Sequence, residues 1–320
     1  MKLKTFLHPI RSLKNRRRYL FYKSPAFQQL LDDNPRKALD IFWMIQKQYP
    51  IDWDNPQTVD EKIFWLEGMT DTSIWTTCSD KYMVRKYIDN LGLGHLLTEL
   101  YGVWTDVNDI DFSKLPEKFV LKCNHDCGST IIINNKSEID VEEVKSRLSK
   151  CLQTRYGYKT CEPHYTRINP VIIAEELIED NHTTIESSSL IDYKFFCFGG
   201  KPKLCLVCYD RKSGHAIKDL YQIDGWTRYK KTSKEYSHQN FKETIPCPDN
   251  LSEMLSFAER ISEGFPFLRV DLYNVGGKIY FGEMTFTPRG GFQASLNNEA
   301  QYELGKAIDL TKIPQELLKN

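Results

Sequence analysis

The sequence lacks the features that mark several large classes of protein. Lysine and arginine together number 43, and aspartate and glutamate also number 43, so no net charge directs the chain towards nucleic acid. No apolar run approaches the ~18 residues that a membrane span needs. The basic first 23 residues contain neither the apolar segment nor the cleavage site of a signal peptide. We therefore expect a cytoplasmic protein. Its basic run Arg16-Arg17-Arg18 is either a solvated helix face or a contact with an anionic membrane surface.

Cysteine and glycine motifs that would mark a metal, redox or nucleotide site are also missing. Nine cysteines are present, and Cys205 and Cys208 make one CxxC, but no second pair follows at zinc-ligand spacing. Reduced cysteines of this kind fit a cytosolic protein. Each Gly-Lys pair is followed by Pro, Ile or Ala, so the chain has no P-loop, and Gly92-Leu93-Gly94 lacks the third glycine of a dinucleotide fingerprint.

The order of predicted elements indicates an α+β protein with a mainly helical start. Residues 1–75 are predicted as helices, one of them opened by a capping box from Thr58 to Glu61. A further helix is predicted to begin at Ser79 and to run through Lys81 towards the glycines at positions 92 and 94. From Lys114 onwards the pattern changes to strands, loops and helices of the α+β kind.

The stretch from Arg269 to Gly291 alternates like a β-hairpin around the turn Gly276-Gly277. Strict alternation places Arg269, Asp271 and Tyr273 on one face of the first arm, and Ile279, Phe281, Glu283 and Thr285 on one side of the second. Two carboxylates that meet inside apolar strands need a cation between them. Mg²⁺ fits this position because it binds one or two carboxylates together with phosphate oxygens of a nucleotide. The alternative is a pair of solvated acids at a strand edge.

A strand lysine followed by a loop of small residues is a second candidate site. Lys122 brings a positive charge, and backbone N–H groups of the loop from Asn124 to Thr130 suit phosphate oxygens. The other interpretation of Lys122 is a strand lysine whose ammonium group lies in solvent.

Two further segments extend this candidate nucleotide site. The run Glu175-Glu176-Leu177-Ile178 leads from an acidic pair into an apolar pair, a pattern that fits a hinge whose backbone contacts the edge of a purine. Asp192 and Lys194 share one face of a predicted strand, where they could contact ribose and phosphate respectively. A surface ion pair is the alternative for these two residues.

The order of these segments resembles the ATP-grasp superfamily, and most closely its TupA-like branch, which is linked to cell-surface polysaccharide and teichuronopeptide synthesis. The resemblance is carried by NPQTVDEKIFWL, DKYMVRKYI, LPEKFVLKCNHDCGS, IIAEEL, DYKFFCFGGKPK, and RVDLY with GEMTFTPRGG, between residues 55 and 292. It implies an ATP-grasp fold in which two α+β subdomains clasp ATP after a mainly helical N-terminal region. The expected boundaries are 1–104 for the helical region, 105–178 for the lid and 179–320 for the core with the metal hairpin.

The resemblance also implies residue roles. Lys81 and Lys122 would lie near the ATP phosphates, under a lid formed by Gly128, Ser129 and Thr130. Asp271 and Glu283 would hold Mg²⁺, and Thr285 stands where the superfamily usually has asparagine, so its hydroxyl would ligate the ion or orient a metal-bound water. The remaining candidate catalytic residues are Lys194, Arg269 and Arg289. Arg289 would grip a substrate carboxylate bidentately, or else brace the turn.

The implied activity is an ATP- and Mg²⁺-dependent carboxylate–amine ligase that acts through an acyl phosphate. Its substrates would be polysaccharide-linked, such as a uronic acid that is joined to an amino acid. A glycosyltransferase is the rival, because Asp52-Trp53-Asp54 and Asp109-Ile110-Asp111 match the DxD pattern that binds a nucleotide sugar through a metal. A catalytically silent nucleotide- or glycan-binding module is a third interpretation, disfavoured because both metal carboxylates and the strand lysine are present.

Overall fold

The protein begins with five helices. The structure, a computed structural model, describes residues 8–179, 187, 189–211, 216–233, 236 and 244–319, with the backbone alone for residues 8–14. The helices are α1 (His8–Tyr22), α2 (Pro25–Asp33), α3 (Pro35–Lys47), α4 (Val59–Met69) and α5 (Ser73–Ser79). The predicted capping box is present at the start of α4, where the side chains of Thr58 and Glu61 each accept a hydrogen bond from the other residue's backbone N–H. Trp43 of α3 packs edge-on against Phe64 of α4, with ring centroids 5.0 Å apart. The helical start is confirmed from His8 onwards, and residues 1–7 lie outside the described residues.

The helix that was predicted to begin at Ser79 begins later, at Val84. Helix α5 ends at Ser79, and α6 spans Val84–Asn90. Between them, Asp80 Oδ1 accepts hydrogen bonds from the backbone N–H groups of Tyr82 at 2.8 Å and Met83 at 3.1 Å. The predicted start was wrong because the side chain of Asp80 closes a turn instead of capping a continuous helix. Lys81 therefore lies in a turn that faces the following sheet.

A four-stranded antiparallel sheet follows. Its strands are β1 (Leu100–Trp104), β2 (Phe119–Cys123), β3 (Ile131–Ile133) and β4 (Ile172–Glu175), in the order β1-β4-β2-β3. Helix α7 (Val141–Leu152) buries Val144 and Leu148 in the same apolar cluster as Phe119 and Leu121. Two short helices, α8 (Tyr156–Thr160) and α9 (Pro163–Thr166), lead back to β4. The predicted strand, loop and strand around Lys122 are present.

The second sheet has six antiparallel strands and contains the predicted hairpin. Its strands are β5 (Asp192–Phe198), β6 (Lys201–Tyr209), β7 (Ile217–Gln222), β8 (Thr227–Arg228), β9 (Phe267–Val275) and β10 (Lys278–Thr285). Their order is β10-β9-β5-β6-β7-β8. Helix α10 (Leu251–Ser262) covers the apolar face of this sheet, and α11 (Asn298–Gly305) packs against α4. The mixed α+β class is confirmed, whereas the subdomain boundaries stay a prediction.

None of the helices in the described ranges has both the length and the apolar composition that crossing a bilayer requires.

Candidate active site

A β-bulge shapes the hairpin that carries the two candidate metal carboxylates. Glu283 pairs directly with Asp271, while Phe281 pairs with Leu272, so Gly282 is an extra residue in the second arm. A Cβ atom at Gly282 would lie 2.9 Å from the carbonyl oxygen of Asp271, which only glycine tolerates. The expectation that the two carboxylates meet across the hairpin is confirmed by this register.

The predicted faces of the second arm were partly wrong, because the bulge interrupts the strict alternation. Phe281 and Ile279 are buried in the apolar cluster, and Met284 beyond the bulge belongs to the same cluster. Glu283 and Thr285 therefore lie on the opposite face from Phe281, since the extra residue reverses the order of faces.

One guanidinium group contacts all three residues that were predicted to bind a metal. Arg269 Nε donates to Asp271 Oδ1 at 2.7 Å, and Arg269 Nη2 lies 2.8 Å from Asp271 Oδ2. The same Nη2 lies 2.5 Å from Glu283 Oε1 and 3.0 Å from the hydroxyl oxygen of Thr285. Thr285 in turn donates to Glu283 Oε1 at 2.7 Å. The four side chains form one charge-assisted network on the open face of the hairpin.

Strand β5 adds a second group of charges beside this network. Lys194 donates to Asp271 and lies 2.6 Å from Asp192 Oδ2, and Arg211 Nη2 donates to the same Asp192 oxygen at 2.6 Å. Asp192 is 2% exposed, and its other carboxylate oxygen accepts no hydrogen bond from the residues described. Burial opposes the charge on Lys194, but Asp192 and Asp271 raise its pKa above the ordinary value. Lys194 is therefore a permanent cation.

The environment of the two hairpin carboxylates differs. Burial raises the pKa of Asp271 to about 6 against the opposing effects of Arg269 and Lys194. Glu283, whose side chain is 43% exposed, is also affected by desolvation, but Arg269, Lys194 and Lys81 lower its pKa below the ordinary value. Both carboxylates are thus ionised at neutral pH, with Asp271 as the member that protonates first on acidification.

The turn between α5 and α6 contacts the loop of residues 124–130, which we call the lid loop. The backbone N–H of Lys81 donates to the carbonyl oxygen of Asn124 at 3.1 Å, and Lys81 Nζ donates to the carbonyl oxygen of Asp126. Burial lowers the pKa of Lys81, the charge of Glu283 raises it, and that of Lys122 lowers it further. The predicted phosphate lysines Lys81 and Lys122 therefore interact electrostatically with each other and with the hairpin.

Lys122 projects from β2 to Glu175 on the neighbouring strand β4. Its ammonium group donates to Glu175 Oε1, and Arg85 Nη1 lies 3.9 Å from the other oxygen. The side chains of Lys122 and Glu175 are 18% and 13% exposed. This partly buried ion pair shows that the ammonium group of Lys122 lies against Glu175 and not in open solvent, while its contact with a phosphate stays a prediction.

The lid loop is tied together by its own polar side chains. Ser129 Oγ accepts a hydrogen bond from the backbone N–H of Cys123 at 2.9 Å and donates to Asp126 Oδ1 at 2.5 Å. Its hydroxyl is therefore committed within the loop. Gly128 has φ 105°, with open space where a Cβ atom would lie, and Thr130 is exposed. The loop presents backbone at Gly128 and a side chain at Thr130.

The predicted hinge continues from β4. Glu176 exchanges hydrogen bonds with the backbone of Glu99, accepting at 3.2 Å from its N–H and donating at 2.9 Å to its carbonyl oxygen. Leu177 and Ile178 follow as half-buried residues outside any strand. The chain therefore leaves the four-stranded sheet here, as a hinge requires.

The loop after β10 presents Arg289 to solvent. Arg289 has φ 58°, and Gly290 and Gly291 follow with φ 66° and 85°. A left-handed conformation at a residue other than glycine costs about 1–2 kcal/mol and persists where neighbouring contacts enforce it. The buried hydroxyl of Thr287 provides such a contact, because it donates to the carboxylate of Glu162. Among the residues that the structure describes, Arg289 makes no ion pair.

Sequence reasoning missed a buried polar group behind this loop. His164 Nδ1 lies 3.2 Å from Glu67 Oε1, and the two side chains are 0% and 1% exposed. Burial lowers the pKa of His164 to about 3 and raises the pKa of Glu162 to about 7. The spacing of Glu162 and His164 in a tyrosine-rich connection was the one available signal, since Glu67 lies 97 residues away in the sequence.

The DxD triplets of the rival interpretation cap local turns. Asp52 Oδ1 accepts from the backbone N–H groups of Asp54 at 3.1 Å and Asn55 at 3.0 Å. Asp111 Oδ1 accepts from the backbone N–H of Ser113 at 3.1 Å, and Asp109 is exposed. Both triplets therefore have a structural explanation of the Asx-turn kind.

The hairpin network suits a magnesium ion. Asp271, Glu283 and Thr285 offer carboxylate and hydroxyl oxygens, the hard ligands that Mg²⁺ prefers, and the contacts of Arg269 show that one cationic group reaches all three. Among the described residues, no three His, Cys, Asp or Glu side chains are grouped to hold a metal alone.

The family model described as TupA-like ATPgrasp matches residues 61–309. Solved structures that are similar to this chain include a D-alanine–D-alanine ligase from Bacillus anthracis complexed with ATP, with a TM-score of 0.45 and 18% identity over 75% of this chain and 66% of that one. The corresponding ligase from Helicobacter pylori has a TM-score of 0.44 and 12% identity over 80% of this chain and 66% of that one. The ligase PsnB, complexed with minimal precursor, Mg and ADP, has a TM-score of 0.40 and 12% identity over 90% and 74%. No curated protein matches the sequence.

The two antiparallel sheets and the family match define an ATP-grasp enzyme. The chain belongs to the TupA-like ATP-grasp family, because the family model covers well over half of its residues. The chain spans 66% of the length of the Bacillus anthracis ligase. The family assignment rests on the family match.

Proposed function

We propose that the protein is an ATP- and Mg²⁺-dependent ligase that joins a carboxylate to an amine through an acyl phosphate. The observation that carries the proposal is the network of Asp271, Glu283, Thr285 and Arg269 on one face of the hairpin, with Lys194 beside it. Phosphoryl transfer depends on positioned cations and metal-binding oxygens more than on covalent chemistry by the protein. Such a network supplies both.

In this proposal, Asp271, Glu283 and Thr285 hold Mg²⁺. The bound ion would neutralise phosphate charge. Lys194 and Arg269, which contact Asp271, would offer positive charge to the transferred phosphoryl group. The contacts with Asp271 hold both cations in place beside the hairpin.

The nucleotide would lie between the two sheets. Lys81 and Lys122 supply charge for the phosphates, and the backbone at Gly128 with Ser129 and Thr130 closes over them. Glu175-Glu176-Leu177-Ile178 would contact the adenine through backbone groups. Asp192 would contact the ribose through the carboxylate oxygen that accepts no hydrogen bond from the described residues. The ion pair of Lys122 with Glu175 supports this arrangement, because it fixes the lysine beside the hinge.

The carboxylate substrate would bind at Arg289. The left-handed backbone there and the buried contact of Thr287 with Glu162 hold the arginine outward without an ion-pair partner among the described residues. A guanidinium group that is held in this way is suited to bidentate binding of a carboxylate. We further propose that the substrates belong to surface polysaccharide synthesis, with an amide between a uronic acid and an amino acid as the product.

Trapping of the acyl phosphate with hydroxylamine tests the reaction. The purified protein is incubated with ATP, Mg²⁺ and a panel of uronic acids and amino acids, and ADP is measured. With the active carboxylate, hydroxylamine attacks the acyl carbon, phosphate leaves, and one hydroxamate, one ADP and one phosphate are expected for each turnover. The variant Glu283→Gln should remain folded and give no hydroxamate, because a metal-binding charge is lost with little change in shape.

Three outcomes would contradict the proposal. Release of AMP and pyrophosphate would indicate an adenylate, and release of UDP from a nucleotide sugar without ATP would indicate the glycosyltransferase. Retention of most of the Mg²⁺-dependent turnover by Glu283→Gln would show that the hairpin does not hold the metal.

A further inference from the structure

Positive charge is concentrated at the start of this otherwise balanced chain. Residues 1–23 contain eight lysine and arginine residues and no aspartate or glutamate. Because the whole chain balances 43 basic against 43 acidic residues, the residues after Lys23 carry eight more acids than bases. A basic segment on an acidic body gives the molecule one surface that a negatively charged partner attracts, while the body is repelled.

Helix α1 turns part of this charge outward. Tyr22 is buried against α2 and α3, with ring centroids 5.2 Å from Phe27 and 5.3 Å from Phe42. Residues two positions apart in a helix point about 200° away from each other. Leu20 therefore lies on the side opposite to Tyr22, and its 61% exposure agrees with this.

The outward side of α1 combines apolar and cationic residues. Tyr19 is 49% exposed, and Arg16, Arg17 and Lys23 are exposed on either side of Leu20. We call Arg16, Arg17, Tyr19, Leu20 and Lys23 the α1 strip. Single exposed apolar residues are ordinary on a protein surface. Here a leucine and a tyrosine lie together among three cationic side chains. This combination fits a partner that has negative charge at its surface and apolar groups just below that surface.

We propose that the α1 strip docks on the headgroups of an anionic phospholipid membrane. The cations meet the lipid phosphates, and Leu20 and Tyr19 enter the boundary between headgroups and acyl chains. A nucleic acid would use the cations and would leave Leu20 in water, so the leucine at the centre of the strip favours lipid. The acidic remainder of the chain would orient the protein with α1 towards the membrane. This inference stands independently of the proposed ligase activity.

Sedimentation with lipid vesicles tests the proposal on the full-length protein. Vesicles of phosphatidylcholine alone are compared with vesicles that contain about 30% phosphatidylglycerol, at low and at high ionic strength. The protein should bind to the anionic vesicles alone and lose most of its binding at high salt. Each arginine near such a surface contributes about fivefold to partitioning, so Arg16→Gln with Arg17→Gln should weaken binding about 25-fold. Leu20→Ser should weaken it about tenfold, because the leucine no longer enters the boundary.

A control variant distinguishes the effect of the α1 strip from the effect of overall net charge. Lys203→Gln with Lys306→Gln removes two exposed lysines elsewhere on the chain, and it should leave binding unchanged. An unaltered thermal midpoint is expected for Leu20→Ser, since the side chain is mostly exposed. Equal binding to neutral vesicles, equal losses in both charge-removing pairs, or full binding by Leu20→Ser would overturn the proposal. Binding of single-stranded RNA in place of anionic vesicles would overturn it as well.

Discussion

Arg269 contacts all three candidate metal ligands, and its replacement is the most informative perturbation. Replacement by methionine keeps much of the side-chain volume but deletes the hydrogen bonds to Asp271, Glu283 and Thr285. Removing one partner of a buried ion pair typically costs about 3–5 kcal/mol, because the other charge remains buried.

The expected cost lies at the lower end of that range. Glu283 is 43% exposed and can regain water, whereas Asp271 is 1% exposed and keeps Lys194 as its cationic partner among the described residues. We therefore expect Arg269→Met to lower the free energy of unfolding by about 3 kcal/mol. In a chain of this size, that corresponds to a fall of about 6 °C in the melting temperature.

Magnesium should partly reverse this loss. In the variant, the ion can reach both carboxylates without displacing a guanidinium group, so binding to the folded state adds stability. At a concentration about ten times its dissociation constant, Mg²⁺ would restore about 1.4 kcal/mol. The wild-type protein should gain less from Mg²⁺ alone, because Arg269 already occupies the carboxylates. Thermal unfolding followed by circular dichroism measures this for the wild type and for Arg269→Met, each with chelator and with Mg²⁺.

Arg228→Met provides the control. Arg228 Nε donates to the buried carboxylate of Asp219 at 2.8 Å, on the far strands of the same sheet. This variant should also lose stability, and Mg²⁺ should restore none of it. A melting temperature of Arg269→Met equal to that of the wild type would refute the reasoning, and so would equal recovery by Mg²⁺ in the two variants.

Two further predictions concern the lid and the buried acid behind the loop. Lys122→Met should weaken ATP binding by about 1.5–3 kcal/mol, because a charge-assisted phosphate contact is lost. Calorimetry checks this, and unchanged affinity would leave Lys122 as a structural partner of Glu175. Burial raises the pKa of Glu162 to about 7 from an ordinary 4.5, so the folded state retains this proton and stability falls as the pH rises from about 4.5 to about 7. Glu162→Gln should abolish this loss. Relative to the wild type, its free energy of unfolding should be higher by up to about 3 kcal/mol at pH 8 and almost unchanged at pH 4. Equal changes at the two pH values would contradict this prediction.

The hairpin shows how far local sequence reasoning reaches. Alternating residues and the Gly276-Gly277 turn were sufficient to predict two arms with an acid on each, since both signals lie within a few residues. The bulge at Gly282 was not predictable in this way. Its cause is the close approach of the Asp271 carbonyl group, which depends on the pairing of the two arms and not on either arm alone.

Side-chain partners across strands were still less accessible to sequence reasoning. The ion pair of Lys122 with Glu175 joins residues that are 53 positions apart, through the pairing of β2 with β4. The sequence indicated a charged residue at each position, and nothing in it indicated that the two charges neutralise each other. Ser129 is a similar case, because the small loop residue that suited a phosphate instead binds Asp126. The residue type shows which interactions a side chain can make, whereas the fold determines which partner it contacts.

The helical region and the loop that carries Arg289 must be considered together. Asp60 of α4 accepts a hydrogen bond from the backbone N–H of Gln293 at 2.8 Å, and Gln301 of α11 donates to the same oxygen at 2.8 Å. All three groups are buried, so losing α4 would leave polar atoms unsatisfied at a cost of about 1–3 kcal/mol each. Glu162 restrains the same loop from the other side. The helices that precede the first sheet are thus part of the support of Arg289, so the two sheets would shape the proposed nucleotide end of the site and the helices its proposed carboxylate end.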